Sequence, residues 1–461
     1  MVVFSKPNLV VQPQQPNLRQ AWYTVIVLML AYVSSFIDRQ ILGLLVGPIQ
    51  RDMKLTDTEI SLLMGFSFAI FYTFLGIPIG RLADRRSRKW IITVGVVVWS
   101  AMTTLCGTVK NYGQFFLARI GVGVGEATLS PAAFSIITDY FPKDKLATAL
   151  SVYSMGIYLG SGFAVLIGAA LVGFTQTTIL VSIPFVGDVY AWQTIFFYIG
   201  IIPGALIVLL MFTVKEPARR QLLKTRNADG VIEVAEVSVA EVLHYINANR
   251  TAFLCVCFGV TFVSTFAYGS AAWIPTYFIR NFGWSAGKIG LLYGSIVTVF
   301  STLGVYTGGR LADYWGKKGQ ADAKLRVGLI AGLGVFGGCV FLLIPNPNVA
   351  ILFVPIPCFF VAFPLGAGAA AIQEMMPNQM RALASSIYFF ILNLIGLGFG
   401  PTFVAVLTDY VFQNKKAVGS SLFIVAIMSG SLAYLCFRFG RKPYLKSLEY
   451  LKNYMNASVL P

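Results

Sequence analysis

The sequence predicts an all-helical integral membrane protein, with twelve transmembrane helices in two pseudo-symmetric bundles of six. Three observations predict it. The 461-residue chain is 57% hydrophobic and only 12% charged, whereas soluble domains carry roughly 25% charged residues. Its apolar residues fall into runs long enough to cross a bilayer, which takes ~20 residues of helix. Two segments of its first half also recur in its second.

The runs cover 21–48, 60–80, 90–109, 112–138, 147–173, 191–214, 251–279, 287–308, 326–345, 350–373, 382–411 and 421–438. Several exceed the minimum span, which permits tilt. Between the sixth and seventh lies the longest polar segment, with acidic, basic and small residues in alternation. It reads as a linker with a short surface helix. The expected organisation is a tail at 1–20, a six-helix bundle at 21–214, a linker at 215–250, a second bundle at 251–438 and a tail at 439–461.

The repeat is explicit. GRLADRRSRK begins at Gly80 and GRLADYWGKK at Gly309, an offset of 229. PKDKLATALSVYSMGIYLGSG begins at Pro142 and PNQMRALASSIYFFILNLIGLG at Pro377, an offset of 235. Two ordered pairs at nearly equal offset point to duplication of a six-span unit in parallel orientation, an arrangement found in transporters.

Charge fixes the expected orientation. The segments on the side of both termini and the linker hold 26 of the 35 basic residues. Cytoplasmic loops carry such an excess, so both termini are expected in the cytoplasm and the chain in the cell membrane. The same asymmetry accounts for the net charge of +16 without a nucleic-acid partner. The six cysteines lie in apolar stretches and form no CxxC pair, and the single histidine, His244, lies in a polar loop. No metal site, cofactor or His-based catalysis is expected from them. No nucleophile–base pair and no G-x-x-x-x-G-K-[ST] motif is visible, which argues against an enzyme and against an ATP-driven pump. The chain is expected to act as a monomer.

The fourth span, 112–138, carries Arg119 and Glu126 within its apolar length. A charge at the bilayer centre costs ~2.5–3.5 kcal/mol on insertion scales, so such residues face a partner or a watery cavity. Seven residues place them two turns apart on one face, ~10 Å along the axis. Gly121, Gly123 and Gly125 between them leave that face bare, open to a neighbouring helix or a substrate. An internal ion pair that only fastens the helix would use the same residues.

The doubled loop resembles the major facilitator superfamily pattern G-x-L-A-D-R-x-G-R-K/R. Gly80, Leu82, Ala83, Asp84, Arg85, Arg88 and Lys89 match it, and Ser87 replaces the second glycine. The second copy keeps Gly309, Leu311, Ala312, Asp313, Gly316, Lys317 and Lys318. Within that superfamily, FIDRQILGLLVGPIQRDMKLTDTEISLL at 36–63, ARIGVGVGEATLSPAAFSIITDYFP at 118–142 and RALASSIYFFILNLIGLGFGP at 381–401 look like the Spinster group. Its members move lysophospholipids and sphingosine-1-phosphate-type lipids. Organic-anion porters of the superfamily share the Asp-Arg pair at Asp38–Arg39.

The resemblance implies a secondary active transporter working by alternating access, with spans 1, 4, 7 and 10 around a central cavity. Counting from the helix ends puts Asp38 ~16 Å, Arg119 ~12 Å and Glu126 ~22 Å below one face, so Asp38 falls between the other two. A cluster of the three is expected. Arg39 points ~100° away from Asp38, toward packing or the cavity rim. The expected roles are proton coupling by Glu126 and Asp38, and substrate binding by Arg119 and Arg39. Thr265, Tyr268, Ser270, Trp273, Tyr388 and Asn393 form the opposite wall, although such aromatics also fill ordinary cores. Gly80, Asp84, Arg85, Arg88, Asp139, Asp313 and Glu374 are implied as conformational latches. The expected partners are protons and a lipid or small-molecule substrate. An anionic amphiphile suits a cavity charged on one wall and aromatic on the other; the alternative is a proton-linked porter of small organic anions such as sugar acids. The helix-5 G-x-x-x-G-P of family antiporters has Ser161 in place of its proline.

Overall fold

The computed structural model describes residues 18–141, 143–175, 180–183, 187–217, 224–226, 232–234, 238–377 and 380–457. Within them, eleven helices are long and apolar enough to cross a membrane, and Val152–Gly168 adds a shorter apolar one. The first half consists of α1 (Leu18–Met53), α2 (57–85), α3 (Arg88–Cys106), α4 (112–140), α5 (Lys143–Thr175) and α6 (Ala191–Thr213). The second consists of α7 (Arg250–Phe282), α8 (Ala286–Lys317), α9 (Ala323–Leu343), α10 (Pro347–Met375), α11 (381–411) and α12 (Val418–Ala457). A short helix, Val239–Ala248, precedes α7 as the linker helix. The side carrying it is called the linker face below, and the opposite side the far face.

Local chemistry sets the helix ends. Ser87 caps α3 by accepting from the Trp90 amide, so the serine that departs from the family's glycine satisfies one of the orphan donors of a helix start. Asn111 does the same for α4 through Gln114. Gly283, at φ 67°, ends α7 in the left-handed region, where a residue without Cβ carries no penalty. Between α5 and α6, Leu180–Ile183 pairs antiparallel with Gly187–Tyr190, an element that apolar patterning did not announce.

The helices depart from ideal geometry where the halves meet. α2 contains a π-type turn at Leu62–Phe66, α8 one at Val297–Ser301 and α11 two, at Leu392–Phe399 and Leu407–Val411. Such turns concentrate at functional sites. A Cβ on Gly65 would stand 2.5 Å from the Leu397 carbonyl oxygen, so α2 and α11 touch backbone to backbone. α5 and α8 cross at Gly162 and Gly294, where a Cβ on Gly294 would lie 3.1 Å from the Gly162 carbonyl. Small residues at both crossings permit this approach.

The buried apolar residues show how the halves join. One cluster holds the linker-side part of the first bundle, around Phe68 and Trp99. The other runs through the second bundle and continues into the far-side ends of α1, α2, α4 and α6. The two cores therefore merge toward the far face.

Candidate functional site

α1 buries a continuous run from Ser34 to Arg39, and α4 buries Arg119 and Glu126 to 0% and 1% exposure. The four charges form two crossed pairs. Arg119 Nη1 donates to Asp38 Oδ1 at 3.4 Å, in keeping with their similar depths. Glu126 does not pair with Arg119. Its Oε2 accepts from Arg39 Nε at 2.6 Å and lies 2.6 Å from Arg39 Nη2. The rise of α1 explains this: Ser35 lies one turn below Arg39, at Glu126's depth, and donates to the same Oε2. The long Arg39 side chain reaches down to join it. Thr103 on α3 donates to Asp38 Oδ2. Each carboxylate is thus held by one guanidinium and one hydroxyl.

The π-type turn of α2 supplies a further partner. Ser67 N–H bonds to the Leu62 carbonyl, five residues back. That releases the Leu63 carbonyl, which accepts from Arg119 Nε at 3.3 Å and from Ser67 Oγ at 3.1 Å. Arg39 is enclosed differently. Its guanidinium lies 4.3 Å from the Phe68 ring centre, 4.7 Å from Phe36 and 4.8 Å from Tyr72, a cation–π setting. Among the described residues, Arg119 Nη2 and Glu126 Oε1 are buried without a hydrogen-bond partner.

The glycines of α4 serve helices, not open space. A Cβ on Gly123 would lie 2.6 Å from the Phe68 carbonyl, and one on Gly125 2.6 Å from the Trp99 amide. They let α2 and α3 press against the charged face. Arg119 is consequently sealed, while Arg39 borders the space between the halves. A cavity of about 20 Å³ there is lined by Arg39, Gln40, Gly43, Met64, Tyr268, Ala272, Leu397 and Pro401, room for about one water.

Of the residues expected on the opposite wall, Tyr268 lines this cavity. Trp273 is fully buried and donates to the Pro401 carbonyl at 2.9 Å. Thr265 donates to the Thr261 carbonyl of its own helix, as Ser270 does to Ala267. Tyr388 is buried in the second bundle, and Asn393 is half-buried on the π-type turn of α11. Ser35 and Thr103 escaped the sequence reading. For Ser35 the available signal was its place one turn before a buried charge; Thr103 gave none.

On the linker face, Arg88 is 1% exposed and salt-bridges Asp139. It also meets Glu216 at 3.2 Å and the Pro217 carbonyl at 3.0 Å. Burial raises the Glu216 carboxyl, but donors from Ser87 and Arg88 outweigh that and hold it below the usual carboxylate range. Glu374 accepts from Lys324 at 2.5 Å and from Tyr444 at 2.7 Å. These bonds lie within each half. Asp313 is exposed; the surroundings of Gly80 and the side chains of Asp84 and Arg85 lie outside the described residues.

The far face carries a cluster that sequence reading missed, because its members look like ordinary span ends. Arg280 on α7 bonds Asp57 on α2 and Gln50 on α1. Thr58 donates through its amide and its hydroxyl to Asp409 on α11, both at 2.7 Å. These contacts cross between the halves.

Twelve helices in two halves, with two charge pairs buried in the first half and Arg39 bordering the space between them, define a solute transporter fold. Residues 28–401 match the family model of the Major Facilitator Superfamily, and the chain belongs to that superfamily, whose members are transporters and not enzymes. It is similar to the crystal structure of a bacterial homolog of the human lysosomal transporter Spinster in its inward-facing, unoccupied conformation. That match has 25% identity and a TM-score of 0.73, over 93% of this chain and 97% of the other. An MFS-type efflux pump of Mycolicibacterium smegmatis is 26% identical, over 93% of this chain and 95% of its own. A probable L-galactonate transporter of Escherichia coli is 24% identical, over 93% and 92%.

Proposed function

We propose that this chain moves an anionic amphiphile, a lysophospholipid or a sphingolipid, by proton-coupled alternating access between its two halves. The observation that carries this reading is the Arg39–Glu126 pair at the edge of the inter-half cavity. An anionic headgroup that takes Arg39 removes the partner of Glu126, and a buried carboxylate without its cation favours the protonated form. Substrate binding and proton uptake are then linked without a metal. Arg119, sealed behind α2, holds Asp38 in place and is the second-line cation that the anion reaches once the halves move. The wall of Tyr268, Met64, Ala272 and Leu397 supports an apolar tail. The resemblance of 36–63, 118–142 and 381–401 to the Spinster group supports the lipid class.

A porter of small organic anions is the second reading, supported by the galactonate transporter among the relatives. The charge distribution supports a cell-membrane location with both termini cytoplasmic, and the chain works as a monomer. Thermal-shift titration separates the substrates: anionic lysolipids are expected to stabilise the protein, while neutral-headed analogues and sugar acids leave it unchanged. Stabilisation by sugar acids alone would favour the second reading.

A further inference from the structure

The last turn of α10 is held by two elements at the linker face, the linker helix and the end of α12. A span of 22 residues covers ~33 Å, so α12, 40 residues long, projects its later turns beyond the linker face. One side of that projection buries Tyr444 and Ser447 and packs Leu448 and Leu451 on the core. The other side exposes Lys442, Lys446, Glu449 and Lys452. The linker helix is patterned the same way, with Val242 and Tyr245 buried and a capping box between Ser238 and Glu241 at its start.

The two amphipathic pieces cover each other and converge on α10. Tyr450 and Tyr454 of the projection set their ring centres 5.5 and 5.3 Å from that of Tyr245. The Tyr245 hydroxyl donates to the Met375 carbonyl at 3.0 Å, one of the four carbonyls a helix end leaves unpaired. The Tyr444 hydroxyl donates to Glu374 at 2.7 Å, on the adjacent residue. Farther along, Arg441 fastens the projection to Asp322 at 2.6 Å. The corresponding end of α4 is tied by Asp139 to Arg88, which also holds Glu216, and by the Tyr140 hydroxyl to the Lys215 carbonyl.

We propose that Tyr245 and Tyr444 are positioning residues for transport: through the last turn of α10 they bind the linker helix and the α12 projection to a helix of the second half, so that the half moves as one body. Neither hydroxyl touches the inter-half cavity, so they act on the rate of the conformational step and not on substrate affinity. The inference does not depend on which substrate is carried.

The test is amide hydrogen exchange on the substrate-free protein in nanodiscs, with the full chain. Tyr245→Phe and Tyr444→Phe each delete one hydroxyl and keep the ring. The double variant is expected to raise exchange at 371–376 by on the order of tenfold, the loss of one or two hydrogen bonds, with α1 to α6 unchanged. Uptake of whichever solute the parent carries should show a lower maximal rate at unchanged half-saturation. A second variant, ending at Lys442, is expected to raise exchange over the same stretch further. Unchanged exchange at 371–376 in both variants overturns the proposal. So does a uniform rise across all helices, which would make the tyrosines mere contributors to global stability.

Discussion

The Arg280 guanidinium, at the end of α7, donates to both carboxylate oxygens of Asp57, at the start of α2, at 2.6 and 2.7 Å. Asp57 is fully buried, and this planar fork is the charge-assisted geometry that adds specificity as well as energy. It spans the boundary between the halves, so parting the halves at the far face would break it.

Asp57→Asn keeps the shape and removes the charge. It is expected to shift the population away from the far-closed state by about 2 kcal/mol, the worth of hydrogen bonds to a charged group. Spin labels across the far face should show a longer distance population. The exchanged pair, Asp57→Arg with Arg280→Asp, should restore the short one. An unmoved distribution in the single variant removes the pair from the gating account.

The crossed pairing separates the two arginines. Arg39→Lys should weaken binding of an anionic lysolipid by roughly tenfold or more, because an ammonium does not reproduce the planar fork. Arg119→Lys should act mainly on stability, since Arg119 bonds Asp38 and the Leu63 carbonyl in a sealed site. Lipid titration and thermal melting of both variants check this. Equal losses of affinity would mean that the sealed arginine meets the substrate as directly as Arg39.

Glu126→Gln mimics the protonated acid. It should abolish uptake driven by a pH gradient while leaving counterflow at equal pH largely intact. Asp38→Asn should impair both, because Asp38 holds Arg119 when the site is empty. Proteoliposomes under each regime give the comparison. A gradient response retained by the glutamine variant would move the coupling to Asp38, or make the protein a uniporter.

Arg88 anchors the linker face of the first half. Arg88→Met is expected to cost about 3 kcal/mol, as breaking a buried pair does, read as a lower melting temperature. The Glu216 contribution carries a pH signature. Its folded carboxyl lies below the usual range, because the Ser87 and Arg88 donors outweigh burial. Its stabilisation is therefore complete above the unfolded glutamate value of ~4.3 and lost as pH falls through the lower folded value. Glu216→Gln should flatten that acid limb of the melting curve. A parallel curve, merely displaced, would contradict it.

The sequence by itself determined the class and the plan: the apolar runs, the doubled loops and the charge asymmetry made twelve spans in two related halves. It also marked the charges that the fold buries, because an ionisable residue in an apolar span stands out against everything around it. Those signals are local, and they survive without coordinates. The partners were decided by tertiary structure. The helical period of α1 turned Arg39 away from Asp38, but only the packing of α1 on α4 showed that this turn delivers it to Glu126. The freed Leu63 carbonyl comes from a π-type turn that no residue pattern announces. Asp57 and Arg280 are 223 residues apart and look like two ordinary span ends until the halves close over them. Hydrogen bonds and ion pairs act over a few ångströms, so pairing between distant helices depends on their depth and rotation, which only the folded chain fixes.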